Sequence, residues 1–364
     1  VLFLCHACGR EPILIGFSGP LTGEYSDLGV QGRNGATLAV EEINAQGGIA
    51  GRKLRLLARD DRNSAEEARK ADRDLVARGV AAIIGHMTST QSLAALPVAQ
   101  KAGVPLISPT TSTPLLSGKE DMFFRVHASS DRIARSLVLF ARRNLGLTRV
   151  NTLLDQDNRA YTRPFTQDFI RGFEQKQGTV PRKCAFASSE PTDWSEIVDC
   201  LMQEDPQGLM LAASARDVAA LCGTLASRSL KRPILCSGWA ATRSLILQGG
   251  KAVEGLYLAR SGHPEPKSPE YKDFQLRYRE RFGRKPSFPA TQGYMAAKVL
   301  ARALEKTGGK REGLPRALTD IEKLPTLYGP LGLDRYGDVD LPVSILQVKN
   351  ATFIPVSRIK AGDT

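Results

Sequence analysis

Short apolar and β-branched runs alternate with segments of helical period along the whole chain, and the alternation occurs in two successive series. Such a pattern restricts the chain to an α/β architecture. From Pro12 the order is Ile13-Leu14-Ile15-Gly16-Phe17, a helical pattern over 32–46, a run from Lys53 to Ala58, and a helical pattern over 65–78. Ala81-Ala82-Ile83-Ile84-Gly85, a helix over about 90–102 and Val104-Pro105-Leu106-Ile107-Ser108 follow. Strands this short and apolar are buried on both faces, which predicts parallel sheets covered by helices.

Past Phe123-Phe124-Arg125-Val126 a second series opens, with helical patterns over 131–143, 162–177, 194–203 and 217–228. Between and after them lie strand patterns at 149–154, 184–186, 208–212 and 233–237. Two doubly wound halves leave a crevice where the carboxyl ends of their strands face each other, the usual place for a ligand. The order then changes. Val253 to Leu258 reads as a strand, helical patterns cover 270–282 and 290–307, and Gly329-Pro330-Leu331-Gly332 precedes a hairpin of 343–349 and 353–358 around Asn350 and Ala351.

A length of 364 residues suits two domains. The formal charge of +12 is spread through the chain with no groove-reading module, which argues against nucleic acid as a partner. Four His, no nucleophile elbow, no HExxH and no phosphate loop leave no catalytic site, metal site or cofactor to expect. His86, after a strand at the crevice, is the one residue placed as a base would be. The segment Val1 to Gly9 reads either as the tail of an export signal, resembling a lipoprotein processing site acylated at Cys8, or as an ordinary terminus. Elsewhere no apolar run approaches the ~20 residues that span a bilayer. Cys184, Cys200, Cys222 and Cys236 form either two disulfides or four buried thiols.

Several segments resemble the type I periplasmic binding proteins, in particular their Leu/Ile/Val-binding branch. They are Ile15-Gly16-Phe17-Ser18-Gly19-Pro20-Leu21-Thr22-Gly23 with Gly29, Gly32, Gly35 and Ala36, then Ile43 to Leu54 with Asp60-Asp61. Ile84-Gly85-His86, Pro105 to Pro109, Phe124-Arg125, Val253-Glu254-Gly255, and Gly329-Pro330 with Asp334 and Gly337-Asp338 extend the likeness from about residue 12 to the end. Gly47 and Gly48 suit the left-handed geometry that ends a helix, and Gly51 the next turn.

The resemblance implies two doubly wound parallel-sheet lobes joined by three hinge crossovers. Residues 11–125 and 260–329 would form one lobe, 126–259 and 330–364 the other, after a leader remnant at 1–10. The crossovers fall near Arg125 to Ala128, Ala259 to His263 and Tyr328 to Asp334. The implied function is that of a monomeric periplasmic receptor that closes on an amino acid or related small carboxylate and delivers it to an ABC transporter permease. A sensing receptor of the same fold is the alternative.

The likeness also implies the site. Gly85 to Thr90 and Ser108 to Thr113 are hydroxyl-rich loops before helices, where free N–H groups and hydroxyls suit a carboxylate. Met87, Thr88, Ser89, Thr110, Thr111 and Ser112 are its candidate residues, with Ser89, Thr110 and Ser112 as principal contacts. Tyr25 and Tyr161 are placed to pack on the solute. Where amino-acid binders of this branch carry a Tyr and an acid that pairs with the ligand ammonium, this chain has Ser214 and Trp239. Either Asp157, Asp217 or Glu24 supplies the missing charge, or the solute has no amine and Trp239 walls it.

Overall fold

Helices on both faces dictate strands that are apolar on both faces, and the burial follows that rule. The computed structural model describes residues 10–262 and 268–359. The expectations placed on Cys8 and on His263 lie outside the described residues. β1 (Ile13–Gly19), β2 (Leu54–Asp60), β3 (Ile83–Ile84), β4 (Leu106–Ser108) and β5 (Phe123–Arg125) form a parallel sheet in the order β2-β1-β3-β4-β5. β3, β4 and β5 are buried at every position, whereas most of the edge strand β2 is only partly buried.

The second sheet repeats the plan. β6 (Val150–Asp155), β7 (Lys183–Phe186), β8 (Gly208–Ala212), β9 (Ile234–Ser237) and β10 (Tyr257–Ser261) run parallel in the order β7-β6-β8-β9-β10. β11 (Leu324–Thr326) and β12 (Gly329–Leu331) form a small antiparallel pair of their own. β13 (Val343–Lys349) and β14 (Thr352–Ile359) then add to β10 as an antiparallel hairpin, turned by Asn350 and Ala351 at φ 51° and 54°.

In the first series the helices are α1 (Ser26–Ala45), α2 (Ala65–Ala77) and α3 (Ser89–Ala102). α4 (Ser130–Arg143), α5 (Arg159–Gln175), α6 (Trp194–Met202), α7 (Ala215–Ser227) and α8 (Arg243–Gly249) belong to the second. α9 (Pro269–Phe282), α10 (Phe288–Lys306) and α11 (Leu314–Thr319) follow. The chain thus makes two lobes of the same winding, as expected, with three crossovers between them.

The crossovers are bonded to one another. Ala128 N–H donates to Ser261 Oγ at 3.0 Å, Gly262 N–H to the Pro342 carbonyl at 2.8 Å, and Arg125 N–H to the Gly337 carbonyl at 3.0 Å. Arg125, 1% exposed, adds an ion pair to Asp338 at 2.8 Å and donates to the Thr113 carbonyl at 3.0 Å.

The Asn44-to-Leu54 segment has a local cause. Gly48, at φ +79°, closes α1 by donating its N–H to the Ile43 carbonyl at 2.9 Å. The Asn44 amide then both accepts from Leu54 N–H, at 2.7 Å, and donates to the Leu54 carbonyl, at 2.8 Å, which sets where β2 begins.

Some expectations need correction. α1 starts at Ser26, six residues before its predicted start at Gly32. The strand expected at Val253 to Leu258 begins only at Tyr257, because Gly250–Val253 forms a 3-10 turn and Gly255 takes φ +84°. Of the two open cysteine readings neither holds whole. Cys184 and Cys200 are bridged, with Cα atoms 6.4 Å apart, while Cys222 and Cys236 are buried thiols.

α1 and α10 meet backbone to backbone. A Cβ on Gly293 would lie 2.1 Å from the Gly32 carbonyl oxygen, and one on Gly35 would lie 1.9 Å from that of Ala290. Gly293→Val should therefore lower stability by at least about 2 kcal/mol, since neither helix backbone can yield as a side chain would. Chemical denaturation checks this, and an unchanged midpoint would mean the helices do not pack so closely.

Candidate functional site

The two hydroxyl-rich loops lie side by side because their own carbonyls demand it. Ser108 and Thr111 hydroxyls donate to the His86 carbonyl at 2.7 and 3.3 Å, and the Thr110 hydroxyl donates to the Met87 carbonyl at 2.5 Å. Thr111 is further tied to Ser92 by a hydroxyl pair at 2.7 Å, so it braces the loops and does not line the cleft.

His86 anchors this arrangement from beneath. Its ring is fully buried, with Nδ1 2.8 Å from Asp61 and Nε2 3.1 Å from Asp72. Burial disfavours the imidazolium, but the two carboxylates outweigh it and raise the pKa to about 10. The ring is spent on two acids behind the loop and has no access to the cleft, so it is not placed to act as a base.

α3 opens toward the cleft with its first-turn N–H groups free among the described residues. Its cap residue is Thr88, and the Thr88 hydroxyl turns to the side chains of Gln91 and Asn63, so no side chain caps the helix. Ser89 is 2% exposed and Ser112 3%, both line the cleft, and neither hydroxyl has a protein partner among the described residues. Buried hydroxyls and helix-end amides without partners are costly unless something fills the gap.

Two expectations about these loops are corrected. Thr110 does not offer its hydroxyl proton to the cleft, because that proton is committed to Met87; its backbone N–H remains. The second loop leads into a single 3-10 turn, Pro114–Leu116, and not into a helix, so the dipole behind it is weak.

Apolar walls close the space. Met87 fills the room left by Gly19 and Gly32, where a Cβ would come within 2.8 and 2.5 Å of it. Leu28, Ile133, Phe288 and Trp239 complete the lining from elements far apart in sequence. Tyr25, from the first lobe, stacks on Trp239, from the second, with ring centroids 5.6 Å apart at 22°. Tyr161 meets the same indole edge-on at 6.1 Å and lines the cleft, whereas Tyr25 stands behind Trp239. The closed cleft is narrow, and the centre of a water molecule ranges over only about 30 Å³ of it.

The lobes are bonded across the gap as well. The Tyr25 hydroxyl pairs with Ser188 at 2.5 Å and donates to Asp155 at 3.4 Å. Burial, helped by Asp155, holds that phenol well above its ordinary pKa. Ser244 donates to Asp27 at 3.0 Å, Thr90 to the Asn158 side chain at 3.4 Å, and Arg216 pairs with Glu24.

Each acid proposed as a counter-charge is engaged elsewhere. Glu24 pairs with Arg216, and Asp157 accepts from Ser188 at 3.1 Å and from Ser189 N–H at 2.6 Å. Asp217 accepts from the Ser214 hydroxyl at 2.6 Å. Burial pushes Asp217 up to about 6, and Asp155 nearby pushes in the same direction. Ser214 is thus the cap of α7 and its partner is Asp217; it does not line the cleft. No carboxylate lines the cleft among the described residues.

Four lining residues escaped the sequence reading besides Leu28 and Phe288: His127, Ile133, Asn158 and Gly238. His127 had one available signal, its place in the first crossover beside Arg125. Burial pushes its pKa down to about 4, with Arg260 and Arg125 adding to the effect.

A family model described as periplasmic binding protein matches residues 12–352. The chain belongs to the periplasmic binding protein family. This periplasmic binding protein is 26% identical over 348 residues to the Leu/Ile/Val-binding protein BraC3 of Rhizobium johnstonii, covering 92% of this chain and 90% of that one. It superposes on the leucine-binding protein LivK of Thermotoga maritima with a TM-score of 0.90 at 28% identity, over 97% of this chain and 100% of that one. A solute-binding protein of R. palustris in complex with benzoate shares the fold, with a TM-score of 0.84 at 19% identity over 95% and 96% of the two chains. Among the described residues no helix is long and apolar enough to cross a membrane, and no cluster of His, Cys, Asp and Glu could hold a metal ion.

The His86 charge predicts a pH dependence. A group whose pKa is raised on folding, here from 6.5 to about 10, stabilises fully below the unfolded value and progressively less as pH rises to the folded one. The urea midpoint should therefore fall between about pH 7 and 10, and fall less in His86→Gln. An equal fall in both proteins would show that the ring carries no charge at neutral pH.

Proposed function

We propose that this protein is the substrate-binding component of an ABC transporter, and that its solute is a small carboxylate with an apolar body and no amino group. The observation that carries the reading is the imbalance of the cleft among the described residues: free hydroxyls at Ser89 and Ser112 and free first-turn amides at α3, against no lining acid. A carboxylate is what such donors stabilise, by charge-assisted bonds in a dry site. An ammonium would lose its hydration there with no counter-ion, at a cost of several kcal/mol.

The carboxylate would sit between Ser89, the N–H of Thr110 and Ser112, and the apolar body would lie on Trp239 and Tyr161. Met87 and Thr88 shape the floor. Contacts from both lobes then favour the closed form in proportion to the difference in affinity. A role in the periplasm, delivery to a permease, action as a monomer and the absence of catalysis accord with a family made up of solute-binding proteins.

An amino acid is the second reading. The names of BraC3 and LivK point to it, as do Asp155 and Asp217 behind the Tyr25–Trp239 stack, which a turned indole could bring into reach. Calorimetry with isocaproate and leucine decides between them, since the two differ by the amino group. Isocaproate should bind more tightly, and a clear preference for leucine would overturn the amine-free assignment. Ser89→Ala with Ser112→Ala should weaken the bound acid by about 1–3 kcal/mol. Unchanged affinity would remove both hydroxyls from the site.

A further inference from the structure

Resting on the carboxylate reading above, we propose that His127 is a specificity-determining residue, its Nε2 lone pair accepting a hydrogen bond from a hydroxyl carried by the bound acid. The tautomer follows from geometry. Nδ1 lies 3.1 Å from the Ala128 carbonyl oxygen, which can only accept, so Nδ1 carries the proton and Nε2 is left as an acceptor. Burial keeps the ring neutral near pH 7, so Nε2 holds no proton of its own. His127 lines the cleft at 6% exposure, and among the described residues Nε2 has no protein partner. With Nδ1 turned to the backbone, Nε2 is the ring nitrogen left for the cleft.

The ring is fixed where it stands. Ala128 N–H is bonded to Ser261 at the crossing of two hinges, and Ser130 N–H donates to the Ser112 carbonyl at 2.6 Å. His127 therefore lies beside the loop that ends the carboxylate pole. Ser89 and Ser112 offer hydroxyl donors suited to an anion, and the Asn158 side-chain oxygen already accepts from Thr90, which leaves Nε2 as the side-chain acceptor that asks for a donor. A cation is a poor match, because Arg260 and Arg125 both act on this imidazole. A hydroxyl satisfies Nε2 without adding charge. A solute with only C–H groups at that point leaves the lone pair dry, the condition under which sites reject an analogue most strongly.

Calorimetry on the full chain tests this with matched acids: isocaproate against 2-hydroxyisocaproate, and benzoate against each hydroxybenzoate. The first pair places the hydroxyl next to the carboxylate and the second on a ring, so the pair that discriminates locates it. In at least one pair the hydroxylated acid should bind about tenfold more tightly or better. His127→Phe should bring that ratio close to one. His127→Gln, whose amide oxygen can take the place of the lone pair, should keep part of it, and serves alone if the Phe variant does not fold. Ratios near one in every wild-type pair, or a ratio unchanged by either substitution, overturn the assignment while the carboxylate reading stands. If none of these acids binds, both fall together.

Discussion

A helix that starts at the carboxyl end of a parallel strand exposes amide hydrogens with no acceptor, and at α3 no side chain among the described residues answers them. Thr88 holds the cap position of α3 and turns its hydroxyl away toward Gln91 and Asn63. Ser89 and Ser112 add hydroxyls that are buried and, among the described residues, unpaired. The rest of the cleft can be understood as support for these donors. The His86 carbonyl takes two hydroxyls, the His86 ring takes two acids, and Thr110 gives its proton to Met87, so neither loop can fold back and satisfy itself.

Charge on the far side is arranged so as not to interfere. Asp155, Asp157 and Asp217 are held by Ser188, Ser189 and Ser214 behind the Tyr25–Trp239 stack, and burial raises Asp217 to about 6. Negative charge is thereby kept one aromatic layer away from the place an anion would occupy. The same stack joins the lobes, so the wall that screens the acids is completed only when the lobes come together.

The winding of both lobes was legible because it rests on local periodicity. Short apolar runs and helical spacing mark β1 to β4, β6 to β9 and most helices without reference to the rest of the chain. Elements with too few residues to show a period were missed: α8, with seven, and α11, with six. β10 was placed four residues early, since an apolar run containing a glycine reads alike whether it turns or extends.

The candidate site was legible by half for the same reason. Hydroxyl-rich loops after strands are a local signal, and Met87, Thr88, Ser89, Thr110, Ser112, Tyr161 and Trp239 all line the cleft. Which way a hydroxyl turns is decided by partners distant in sequence, so the engagement of Thr110, Thr111 and Ser214 could not be read. His127, Ile133 and Phe288 reach the cleft from a crossover and from helices of different segments, and only the assembled lobes bring them together. The most direct test of an anion drawn between two lobes is small-angle X-ray scattering with isocaproate and with its neutral amide, which has the same shape. The acid should contract the particle and the amide should not. Equal contraction by both, or none by either, would contradict the view that freed amides and hydroxyls close this protein around a negative charge.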